Sequence, residues 1–227
     1  MRFHLSAPAA LTMATLLAAC ARHAAPPPSA SAAPPPVVAM VPAPLPAGAR
    51  PGMTVPLRLA DGSYPTPNRA LSAAGAIWHL RSALNVAALA CRGAQEASII
   101  ARYNALLAAR KAELASAQAT LQSEYRAGGG DWQDRFDDQM TRLYNFFAQD
   151  LARDAFCAGA ADTLDTIATV PAATLPAFAA ERLAALERPF TDFFAAYDRW
   201  RAGQLVPATV AAADATPAPG PAAGTAG

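Results

Sequence analysis

Histidine is nearly missing from this chain, with three in 227 residues, and only His79 lies beyond residue 23. Few general bases are therefore on offer. No H-E-x-x-H zinc motif, G-x-S-x-G nucleophile turn or C-x-x-C-H haem attachment occurs. Charge of one sign is lacking too: 18 Lys and Arg stand against 17 Asp and Glu, a formal net charge of +1, so nothing points to nucleic acid. No strand-like alternation of useful length is present, and the leading apolar run, Ala9 to Ala19, falls short of the roughly 20 residues an ordinary membrane-spanning helix needs. Hydrophobic residues make up 53% of the chain, but much of that is alanine, which favours helix and buries little surface.

The N-terminus reads as a processed signal: a short start with Arg2, the apolar run, then small residues before a cysteine. Leu17, Ala18, Ala19 and Cys20 supply an aliphatic residue, two small residues and cysteine, and this stretch resembles the lipobox of bacterial lipoproteins. The resemblance covers only the first 20 residues. It implies cleavage before Cys20, diacylation of its thiol by a membrane transferase, often palmitate on the new amine, and a lipid-anchored protein of the cell envelope. Two or three acyl chains hold stably where one binds marginally. Ala21 is not the aspartate that commonly retains such proteins in the inner membrane, so the resemblance favours the outer membrane, with the domain in the periplasm.

With Cys20 acylated, Cys91 and Cys157 remain as an even pair in an oxidising compartment and are expected to be bonded. A redox pair would more often be close in sequence as C-x-x-C, and two cysteines without a nearby histidine make a poor metal site. No metal or cofactor is expected, and no catalytic residue is assigned.

Four segments follow: a signal over 1–19, a lipidated cysteine and Pro/Ala-rich linker over 20–66, a helical domain over 67–204 and a disordered Ala/Pro tail over 205–227. Pro26 to Pro28 and Pro34 to Pro36 forbid helix, and few large apolar groups offset the entropy of ordering. From Ala24 to about Pro56, a polyproline II spacer would reach on the order of 100 Å. Met53 to Pro67 receives no regular structure, although Val55, Leu57, Leu59 and Tyr64 have the size to pack on the domain.

The spacing predicts a first helix from an Asn68 cap to Arg92, with Ile77, Leu80, Leu84, Ala88 and Cys91 on one face. His79 lies among them and reads as a helix histidine rather than a ligand. A second helix, from Gln95 to Arg126, would be a rod of about 48 Å, stopped by Gly128, Gly129 and Gly130. Asp131 then caps a third helix carrying Trp132, Phe136, Met140, Leu143, Tyr144 and Phe147. Its Asp134, Asp137 and Asp138 complement the helix dipole and read as solvated acids rather than as a metal or acid/base site. After a break near Gln149, helix resumes through Ile167, and a last one runs from a Thr174 cap to Arg201, with Pro189 expected to kink or split it.

These elements predict an all-α fold: a disulfide-tied, mainly antiparallel bundle of four to six helices between proline-rich ends. Function reads as a non-catalytic, membrane-anchored interaction domain whose partner is another envelope protein or the cell wall. Two alternatives stay open: a module holding a small apolar ligand between helices, and a glycan-cleaving enzyme, because paired carboxylates need no local motif.

Overall fold

Ser72 sets the start of the first helix: its hydroxyl accepts from the Gly75 amide at 3.0 Å, satisfying one of the orphan donors there. In the computed structural model, residues 37–210 are described, and Val38–Ala208 form one compact unit. The elements are β1 (Val37–Pro42), α1 (Ala73–Ala90), α2 (Glu96–Ala109), α3 (Lys111–Ala127), α4 (Trp132–Phe147), α5 (Arg153–Ile167), α6 (Leu175–Arg201) and β2 (Leu205–Val210). Short 3-10 turns precede α5 and α6. The fold is a six-helix bundle closed by the expected Cys91–Cys157 disulfide.

α1 is the centre of the bundle and packs against every other helix. One buried face was expected, yet Gly75, Ala76, His79, Leu80, Ser82, Ala83, Leu84, Val86 and Ala87 bury positions all round it. Small residues make this geometry possible, since Ala and Gly let neighbouring backbones approach closely on several sides. Cys91 caps its end, with its N–H on the Ala87 carbonyl at 2.9 Å, and the disulfide ties that end to α5.

The long rod expected from Gln95 to Arg126 is two helices. The break falls at Arg110, where no Gly or Pro marks it. Arg110 is drawn to the end of α5: its guanidinium donates to the Ile167 carbonyl at 3.2 Å and to the Val170 carbonyl, and pairs with Glu113 at 3.2 Å. A cation there satisfies orphan carbonyls and complements the dipole. The glycine turn forms as expected, with Gly129 and Gly130 at φ 68° and 56°.

Phe146, Phe147, Phe156 and Phe190 form an aromatic cluster from α4, α5 and α6, with centroids 4.9–5.8 Å apart. Pro189 does not split α6, which is assigned as one 27-residue helix. Leu186 before the proline and Phe190, Phe193, Phe194 and Tyr197 after it are all buried, and that burial offsets the missing backbone bond.

Two expectations about the ends are corrected. The linker expected over 20–66 is folded from Val38 onward: Ala43, Val55 and Tyr64 are buried, and Tyr64 packs edge-on against Phe194 at 5.4 Å. The tail expected from 205 begins with a strand, β2, which pairs with β1. Ala43 donates to the Gln204 carbonyl at 2.7 Å, so Pro42 lies beside Leu205 and the two strands run antiparallel.

Candidate functional site

The 59–69 loop and α4 enclose an open cleft of about 650 Å³. One wall is Leu59, Pro65, Thr66, Pro67 and Arg69; the other is Gln139, Arg142 and Asn145, one turn apart along α4, with Phe146 beside them and Gln149 just past the helix end. Gln139 donates to the Pro67 carbonyl at 2.6 Å and ties the walls together. Arg142 is exposed and in no ion pair among the described residues, whereas Arg69 pairs with Asp61 at 3.0 Å. Hydrogen bonds from Ser63, then Arg69, hold the Asp61 carboxyl down at about 2.

Beneath the loop runs a polar chain. Thr66 and Asn68 donate to the two carboxylate oxygens of Glu187 at 2.8 and 2.7 Å, and the Asn68 carbonyl oxygen faces His79 Nδ1 at 2.9 Å. Since the Asn68 amide nitrogen already donates to Glu187, its oxygen is left to accept, and Nδ1 carries the proton. His79 Nε2 is buried without a partner among the described residues, and desolvation lowers the imidazole from 6.5 to about 4. Asn68, expected as a helix cap, thus serves as a bridge. Ala70, two residues on, sits at φ 52°, a left-handed conformation costing about 1–2 kcal/mol, and the bonds around it hold the loop there.

At the far end of α6, the Tyr64 hydroxyl donates to Asp198 at 2.7 Å. Burial and then the Asp198 carboxylate push that phenol up to about 12. Asp198 also pairs with Arg201 at 2.8 Å and Arg58 at 3.5 Å.

Of the residues singled out in the sequence, Cys20 lies outside the described residues, and Cys91 and Cys157 are bonded to each other. Asp134, Asp137 and Asp138 are exposed along α4. Among the described residues, no three histidine, cysteine or acidic side chains gather as metal ligands would. The cleft residues Arg69, Arg142 and Asn145 were not anticipated, nor were Asn68 and Glu187 as a pair. The one available signal was Glu187, an acid placed between Leu186 and Pro189 in a largely apolar stretch of helix.

Chemically, the cleft offers guanidinium and amide donors over an aromatic floor, and neither carboxylate nor imidazole lines it. That set suits recognition of acceptor-rich or anionic groups rather than proton transfer. These features define an α-helical bundle with a donor-lined surface cleft. Comparison with protein-family models, curated proteins and solved structures gives no significant match.

Proposed function

We propose that the protein is a membrane-anchored envelope lipoprotein, held by acyl chains on Cys20, whose helical bundle is a non-catalytic interaction domain. Its partner is another envelope protein or the cell wall, engaged through the cleft over α4. The observation that carries this reading is the lining of that cleft: Arg69, Arg142, Asn145 and Gln149 present donors, and no general base stands among them. Arg142 is the anchor of the interaction, because its guanidinium is free to pair with a partner's carboxylate or carbonyl groups.

The packed interior supports this reading over an apolar-ligand module. The void between α1, α2, α3, α5 and α6, lined by Leu80, Leu106, Leu114 and Ile167, holds about 10 Å³. Drug-sized ligands need about 300 Å³ or more.

A native mass spectrum of protein gently extracted from its membranes tests the proposal. The expected species begins at acylated Cys20 and carries a second polypeptide or a wall fragment, and Arg142→Glu releases that companion without lowering the melting temperature. A stoichiometric small-molecule adduct, or an unacylated chain, overturns it.

A further inference from the structure

Among the described residues, the strand pair has one face with nothing against it. Antiparallel register places Pro42 beside Leu205 and Met40 beside Pro207, and directly opposed residues point to the same side. That side is exposed throughout: Val38 is 62%, Met40 59% and Leu205 57% accessible, with Pro42 and Pro207 exposed between them. The opposite face, Ala39, Val41, Val206 and Ala208, is half-buried. Exposed apolar residues in succession on one face call for a covering surface.

The base of this ribbon is basic. Gln204, whose carbonyl receives the Ala43 amide, lines one recess with Arg58, Arg199, Arg201 and Asp198. Arg50 lies outside that recess but is joined to the same stretch of α6, its carbonyl accepting from the hydroxyl of Tyr197, two residues before Arg199. Asp198 is the carboxylate of the group and is engaged by Arg58, Arg201 and Tyr64, which leaves Arg50 and Arg199 exposed and in no ion pair among the described residues. Leu57, adjacent to Arg58, is 74% exposed.

We infer that this apolar ribbon and its arginine collar form a docking surface for an anionic lipid bilayer, so that the domain lies against the membrane to which Cys20 anchors it. Arginines at the rim pair with headgroup phosphates, while Val38, Met40 and Leu205 enter the headgroup–acyl boundary. The length of chain agrees. Only about 18 residues separate Cys20 from Val38, at most about 60 Å fully extended, and the chain enters the domain through the ribbon itself. The inference rests on the lipid-anchor reading for the nearness of a membrane; its test does not.

The chain from residue 20 onward, with Cys20→Ser to remove any acyl group, is sedimented with phosphatidylcholine vesicles with and without phosphatidylglycerol. Binding is expected only with phosphatidylglycerol and should weaken as salt rises. Arg50→Glu with Arg199→Glu should lower it about tenfold or more, and Met40→Ser with Leu205→Ser should weaken what persists at high salt. Neither pair disturbs an ion pair or core contact, so unchanged melting temperatures certify the fold. No binding at low salt overturns the inference, as does binding indifferent to these substitutions. So does displacement by inorganic phosphate beyond that by chloride at equal ionic strength, which marks a free-anion site. A photo-crosslinker at Met40 that captures a polypeptide instead of lipid in cells also overturns it. Loss of acylation on native protein, by contrast, removes the anchor reading and leaves these vesicle results standing.

Discussion

The amide oxygen of Asn68 accepts from Nδ1 of His79 at 2.9 Å, while Nε2 of the same ring is buried with no partner among the described residues. The folded protein therefore holds this histidine neutral, at about 4 against 6.5 for a free imidazole. A group whose affinity for protons is lower in the folded state contributes stability that is full above 6.5 and lost as pH falls toward 4. The whole loss amounts to about 3 kcal/mol. Urea unfolding at steps from pH 7.5 to 4 should show that fall, and His79→Gln should flatten it. Carboxylates titrate at the lower end of the window, so the difference between wild type and variant is the quantity to read. Parallel curves would mean that His79 is protonated within the fold.

The Cys91–Cys157 bond closes a loop with a sequence separation of 66 residues. Chain-entropy bookkeeping assigns a loop of that size about 4 kcal/mol. Reduction, or Cys91→Ala with Cys157→Ala, should lower the urea midpoint by a corresponding amount, with far-UV helicity retained at low denaturant.

Arg110 sits at the break between α2 and α3 and closes the end of α5. Arg110→Leu keeps most of the packing volume but leaves the Ile167 and Val170 carbonyls and Glu113 without their cation. It should cost about 2 kcal/mol, the scale of a charged hydrogen bond. Amide exchange should accelerate at the end of α5 first, and uniform acceleration across the bundle would argue against this local role.

Asp137 and Asp138 are exposed and make no ion pair among the described residues. Asp137→Asn with Asp138→Asn should change stability by no more than about 0.5 kcal/mol and leave partner capture intact. Loss of capture would move the candidate site from the cleft to the acidic face of α4.

The helical elements were legible because their signals are local. Trp132, Phe136, Leu143 and Phe147 repeat at helical spacing, and Gly129 and Gly130 stop the chain before them. Three features were not legible. The break at Arg110 comes from carbonyls more than 50 residues away in sequence, at Ile167 and Val170, and leaves no Gly or Pro to mark it. The central place of α1 was hidden because alanine contributes little to any pattern of large apolar residues, although its smallness is what admits five neighbours. The strands were hidden for a third reason: Val-Val-Ala-Met-Val-Pro and Leu-Val-Pro-Ala-Thr-Val lie in proline-rich composition, and each is a strand only because the other is beside it. The cleft shares that difficulty, since its two walls meet through Gln139 and Pro67, 72 residues apart.

The bond between Ala43 and Gln204 also fixes how the domain carries a load. Entry and exit lie side by side, so tension between the flanking chains meets the β1–β2 ladder end-on and parts it bond by bond, as a zipper opens. The helices hang from that junction as a pendant and feel the pull only after the ribbon has opened. The ribbon therefore yields first, and the folded body with its cleft outlasts that opening.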